Sequence, residues 1–289
     1  MRPRRFLPAA ALALLAILAP LLAGSGPLLR VGGWSLPAPV PHDPLAIDLA
    51  ARLQGPGAAH WLGTDELGRD VLSRLIHAAR PSLMVALLAT LCSMLAGIPL
   101  GALSAGGGRR TGMVLTQAID AVLSFPALVL LLLISSVALG AVAGAPAGGM
   151  SQAARSILIV GCAVGLARSG AVARYTRGEV IRLAGTDIAV AAAAAGRSRQ
   201  GVLWRHLVPA GMPAVKVAGA FGAGSAVVAE ASLSFLGLGV QPPAPTWGQM
   251  IATAASHQGC WWMLVFPGIM VALTVASFSR LGARGQVWD

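Results

Sequence analysis

The sequence predicts an all-α, polytopic membrane protein with about six transmembrane helices. Three observations predict it. The 289 residues are 56% hydrophobic and only 11% charged, with a mean hydropathy of +0.75, whereas a soluble domain carries about a quarter charged residues. The apolar residues gather in runs close to the roughly 20 residues that cross a bilayer. The basic residues flank those runs instead of forming one stripe, which the positive-inside effect explains and nucleic-acid binding does not.

The candidate spans are 6–23, 83–103, 113–140, 157–172, 217–239 and 261–279. The first follows the basic segment Met1 to Arg5. It is long for a signal-peptide core and no clean small-residue cleavage site follows, so a retained anchor is expected. The third is too long for one straight helix, and Pro126 inside it is expected to kink or break it. Arg168 interrupts the fourth. If the N-terminus lies inside and six spans alternate, fifteen Arg and Lys residues fall inside and six outside, which predicts two cytoplasmic termini. That topology puts a Pro-containing segment, 24–82, outside, with a short helix at 67–79. It puts the long polar loop 173–216 inside.

Within that loop, Thr186 is expected to cap a helix from Asp187 to Ala195, and Gly196 suits the helix C-terminus. Ser198 is expected to cap a second short helix ending near Leu207, with Pro209 stopping it. This second helix mixes Val202, Leu203, Trp204 and Leu207 with Arg199, Arg205 and His206. Such a helix suits a docking knob for another protein, and equally an interfacial helix on lipid headgroups. Glu230 lies inside the fifth span. A carboxylate at membrane depth costs about 2.5–3.5 kcal/mol on insertion scales, so it must face protein or a cavity, either as a pathway group or as a hydrogen-bonded link between helices. Ser232 and Ser234 accompany it. Asp120 sits nearer the inner interface, where a hydrated end residue is the simpler reading. Gly97 and Gly101 have the spacing of a close helix contact.

Three stretches carry a family resemblance. Ala191-Ala192-x-x-x-Gly196 followed by His206-Leu207-Val208-Pro209 resembles the EAA loop of ABC importer permeases. Glu230-Ala-Ser-Leu-Ser-Phe-Leu-Gly-Leu-Gly-Val-Gln-Pro-Pro-Ala-Pro-Thr-Trp-Gly-Gln-Met250 resembles the hallmark of the dipeptide, oligopeptide and nickel permease subfamily. Leu62-Gly-Thr-Asp-Glu-Leu-Gly-Arg-Asp-Val-Leu-Ser-Arg-Leu-Ile76, with Ala79-Arg-Pro-Ser-Leu83, resembles the segment before the second span of the "C-type" subunit, and Asp120-x-x-x-Ser-Phe-Pro126 also fits. The resemblance implies a type I ABC importer permease fold over 83–281, after an anchor and periplasmic segment at 1–82 and before a short cytoplasmic tail at 282–289. It implies that Ala191, Ala192, Gly196, Ser198, Val202, Leu203, His206 and Pro209 belong to the loop that engages an ATPase. The family's Glu falls at Val190, and the C-terminus lacks the family's charge-alternating tail, which is compatible with a weaker tail contact or with a diverged or nonfunctional copy.

The resemblance further implies a bacterial inner-membrane protein that moves peptides or related solutes such as nickel chelates. Its expected partners are a second homologous permease, two cytoplasmic ATPases, an extracytoplasmic solute-binding protein and the lipid bilayer, with no nucleic acid. No cofactor is expected in this chain. The only lysine is Lys216, so no phosphate-binding Gly-Lys-Ser/Thr loop exists and ATP hydrolysis belongs to other chains. Cys92, Cys162 and Cys260 are far apart and the five histidines do not cluster in sequence, so neither a metal site nor a disulfide is indicated. A stand-alone secondary carrier would need more coupling acids than Glu230. An intramembrane hydrolase built on His60, Asp70, Ser73 and His77 lacks a nucleophile–base pattern.

Overall fold

The computed structural model describes residues 30–31, 34–35, 42–143 and 151–285. The candidate first span, 6–23, and the last four residues lie outside them. Apart from two two-residue strands, Arg30–Val31 and Trp34–Ser35, the regular structure is helical. In chain order the helices are α1 (Val71–Gly106), α2 (Arg109–Ser124), α3 (Ala127–Ala143), α4 (Gln152–Ala184), α5 (Asp187–Ala194), α6 (Arg199–Val202, extended by a π turn at Leu203–Leu207), α7 (Val208–Phe235), α8 (Trp247–Ala255) and α9 (Trp261–Gly285).

Four of these segments are long and apolar enough to cross a membrane: α1, α4, α6 continuing through α7, and α9. The pair α2–α3 makes a fifth if it is counted as one span, and it is bent by 95°. The bend falls where Pro126 removes a backbone donor and crowds the residue before it. Phe125 accordingly leaves the helical region, with ψ 139°. Large apolar side chains remain exposed in stripes, such as Leu87, Leu91 and Leu95 on α1. Lipid, not water, is the solvent that such a face requires. The protein is embedded in the membrane.

Four local expectations are corrected. Of the expected short helix at 67–79, residues 71–79 are the beginning of the 36-residue α1 and 67–70 are not helical. Thr186 does not cap α5 through its side chain, because its Oγ1 donates to Leu183 O at 2.7 Å. Pro209 does not end a helix. The π turn runs directly into α7, whose second residue is Pro209, so the helix continues through the proline, with Val208 N–H closing on Leu203 O just before it. Arg168 does not interrupt α4 either. It is half-buried, and its Nη2 reaches toward Gly222 on α7.

The chain divides into two compact units, one comprising 1–85, 145–158 and 227–277, the other 86–144, 159–226 and 278–289. In the second unit α1 and α4 approach closely along a seam of glycines. A Cβ on Gly97 would lie 2.7 Å from Ser169 O, one on Gly101 2.3 Å from Ala173 O, and one on Gly165 2.7 Å from Ala89 O. All three distances are far inside van der Waals contact with backbone that cannot yield. Along the same seam Cys92 Sγ lies 3.7 Å from Cys162 Sγ, and both are free thiols. The Gly97–Gly101 spacing is thus a packing device. Gly101→Leu is expected to force α1 off α4 and to lower the detergent melting temperature sharply. Gly108→Ala, where a Cβ meets nothing within 4 Å, is the matched control. Equal melting of the two variants would refute the seam.

Candidate functional site

The first unit joins the two long sequence motifs. The stretch before α1 is folded by its own turns. Gly63 and Gly68 take φ of +77° and +73°, and a Cβ on Gly68 would collide with Asp48 O. Asp65 accepts from the backbone N–H groups of Leu67 and Arg69 and pairs with Arg69 Nε at 2.8 Å and Arg74 Nε at 3.3 Å. Two tryptophans clamp the stretch from the other motif and the last helix. Fully buried Trp247 donates its Nε1 hydrogen to Leu75 O at 3.1 Å, and Trp262 donates its own to Thr64 O at 3.1 Å.

Glu230 lies at this junction with 0% exposure. Ser234 Oγ donates to its Oε1 at 2.6 Å, and the hydroxyls of Ser82 and Thr246 also face the carboxyl. Both of those oxygens already accept backbone N–H groups, Ser82 from Trp247 and Thr246 from Gln249. The second carboxyl oxygen, Oε2, is buried without a hydrogen-bond partner among the described residues. Close packing fixes the ring of hydroxyls, since a Cβ on Gly248 would lie 2.7 Å from Ser234 Cβ. Of the predicted pathway residues, Glu230 and Ser234 come together. Ser232 turns its hydroxyl back to Val228 O on its own helix. Asp120 belongs to the other unit, exposed and 3.6 Å from Arg174 Nη2. Ser82 and Thr246 are the members that sequence reading missed. Both lie inside quoted motifs, but nothing local marks them as partners of Glu230.

The second unit carries the elbow. Gly196 has φ +73°, and Arg197 N–H closes back onto Ala192 O at 3.4 Å, as expected for a glycine-terminated helix. Ser198 Oγ accepts from Gly201 N–H at 3.2 Å and caps α6. Leu203, 1% exposed, is held in a core with Ala102, Val180, Leu183 and Leu207. A Cβ on Gly106 would lie 2.6 Å from Leu203 Cδ2. Leu203 therefore secures the elbow to α1 and α4 and offers nothing to a partner. Ala192 is buried as well, while Val202 and His206 are half-buried. The outward face holds Ala191, Gly196, Ser198 and Pro209, with the apolar side chains of Ile188, Val190 and Trp204. Val190 is 65% exposed and Trp204 39%. Beside the elbow lies a cleft of about 490 Å³ bordered by Arg109, Arg177 and Arg199. Glu179, upstream on α4, pairs with Arg182.

Spanning helices, a broken span and a capped elbow between two of them define a helical membrane permease. The chain belongs to the family of binding-protein-dependent transport system inner membrane components, whose model matches residues 97–284. It is 33% identical over 232 residues to the dipeptide transport system permease protein DppC of Alkalihalophilus pseudofirmus, covering 80% of this chain and 71% of that one. It is 36% identical over 231 residues to the di/tripeptide transport system permease protein DppC of Pseudomonas aeruginosa, covering 80% and 71%. Among solved structures it shares its fold with a chain of the inward-facing MetNI methionine ABC transporter. The TM-score is 0.56 at 17% identity, covering 73% of this chain and 96% of that one. The fold is that of type I ABC importer permeases.

Proposed function

We propose that this chain is one of two permease subunits of an ATP-driven peptide importer in a bacterial inner membrane. Peptide transport rests on the names of its relatives. ATP dependence rests on the elbow, which is the observation that carries the reading: a Gly196 turn and a Ser198 cap present Ile188, Val190 and Trp204 outward on a base anchored by Leu203. Exposed apolar and aromatic side chains on a fixed base are what an interface needs at its centre. In this reading the elbow between α4 and α7, within the expected loop 173–216 whose ends are helical, engages a cytoplasmic ATPase, each permease of the pair takes one ATPase, and an extracytoplasmic binding protein delivers the solute. The chain itself makes and breaks no covalent bond. Closure of the ATPase pair moves the elbows, and the helices attached to them reorient the pathway. Reconstitution with the ATPases and binding protein is expected to give labelled-dipeptide uptake that stops without ATP. Uptake by this chain alone, abolished by a proton ionophore, would establish a secondary carrier instead.

The fifteen-to-six distribution of Arg and Lys supports cytoplasmic termini. A cytoplasmic-only reporter fused at Asp289 is expected to be active, and one inserted near Pro245 inactive. The opposite pattern would invert the topology and detach the elbow from any cytoplasmic ATPase.

A further inference from the structure

The segment before α1 holds a cluster that plays no part in the proposed transport cycle. One ligating atom each from His42, His60 and Asp70 lies within 4.8 Å of the others. Asp70 is the fixed member. It precedes α1, and its Oδ2 accepts from Ser73 N–H at 2.8 Å and from Ser73 Oγ at 2.7 Å. Its Oδ1 faces His60 Nδ1 at 2.9 Å and His42 Nδ1 at 3.7 Å. The side chain of Asp70 is 1% exposed, that of His60 17% and that of His42 43%. The two imidazoles lie 4.8 Å apart, tilted by 37°. His42 is also tied to α1 through its backbone, whose N–H donates to Ser73 Oγ at 3.2 Å.

Helix capping explains Asp70 and Ser73, and one hydrogen bond explains His60. Neither explains a second imidazole nitrogen aimed at the same oxygen from beyond hydrogen-bond range. We propose that His42, His60 and Asp70 bind a first-row divalent cation of the Zn²⁺ type, which fastens the segment around His42 to the start of α1. Two imidazoles and one carboxylate suit such an ion, whereas Mg²⁺ and Ca²⁺ prefer all-oxygen shells. Bonds of about 2.0–2.2 Å in tetrahedral geometry place ligand atoms roughly 3.3–3.5 Å apart. The observed 2.9 and 3.7 Å bracket that separation. The Ser73 bonds to Oδ2 supply the outer support that holds a ligating carboxylate in orientation. The exposure of His42 leaves room for water at the fourth position.

The test uses the full chain in detergent, stripped with chelator, with Zn²⁺ alone as ligand and Co²⁺ as the spectroscopic probe. About one tightly bound Zn²⁺ per chain is expected, together with Co²⁺ visible bands of low-coordinate intensity. His42→Ala and His60→Gln are each expected to weaken Zn²⁺ binding about tenfold or more and to remove the Co²⁺ bands. His257→Ala, outside the cluster beside Glu66, should change neither. His42 lies on the surface, so its variant is expected to elute and melt as the metal-free wild type does. The proposal is overturned if the wild type takes up no stoichiometric Zn²⁺ at micromolar concentration. It is equally overturned if His42→Ala and His60→Gln bind as the wild type does, or if Mg²⁺ competes on equal terms.

Discussion

Glu230→Leu is expected to empty the membrane of folded protein, while Glu230→Gln leaves its level nearly unchanged. The carboxyl is fully buried, accepts from the Ser234 hydroxyl on α7, and lies beside the hydroxyls of Ser82 on α1 and Thr246 at the start of α8. Leucine fits the volume but accepts no hydrogen bond. The Ser234 hydroxyl left without its partner costs about 1–3 kcal/mol, a sizeable share of a typical stability. Glutamine keeps an oxygen for Ser234 and the same shape. Membrane levels and melting in detergent measure the contrast. A leucine variant that accumulates and melts like wild type would mean that the hydroxyls are satisfied without the carboxyl. Uptake by the glutamine variant then asks a separate question, whether the acid is needed for transport beyond its place in the packing.

Leu203→Asp and Trp204→Asp are expected to fail in different ways although they are neighbours. Leu203 is sealed between α1 and α4. A carboxylate there replaces an apolar side chain packed on Ala102, Val180, Leu183 and Leu207 and must either drag the elbow open toward Arg197 and Arg199 or stay buried at a cost of several kcal/mol. The variant should become protease-sensitive between about residues 185 and 207 and melt early even without an ATPase. Trp204 projects outward, so its variant should melt as wild type and lose the ATPase on co-purification, with a deficit of about 2 kcal/mol or more if it is a central anchor. Gly196→Val tests the turn. A Cβ meets no atom within 4 Å there, so the whole penalty is the left-handed backbone, about 1–2 kcal/mol. Retention of the ATPase by Trp204→Asp at wild-type levels would move the docking surface off the elbow.

The local devices were legible in the chain. The break at Pro126, the turn at Gly196 and the cap at Ser198 depend on residues within a few positions of one another, and each appears where the sequence puts it. The spanning helices Val71–Gly106, Gln152–Ala184 and Arg199–Phe235, by contrast, run well past the apolar windows 83–103, 157–172 and 217–239. The family was legible too, because its long motifs are contiguous. Pro209 was misread because proline disfavours a helix interior locally, whereas here the helix runs on through it after a π turn. Leu203 was misread for a deeper reason. In a soluble protein an apolar side chain points to the core, but in a membrane chain lipid, a partner and the protein interior all accept it, so hydropathy does not separate them. Only the packed helices show that Leu203 faces Gly106 while Trp204 faces out. Likewise His42, His60 and Asp70 are 18 and 10 residues apart in sequence, and Glu230 is 148 from Ser82. No local preference encodes such distances. The bends at Gly63 and Gly68 and the tryptophan clamps bring these groups together, and those are properties of the folded chain alone.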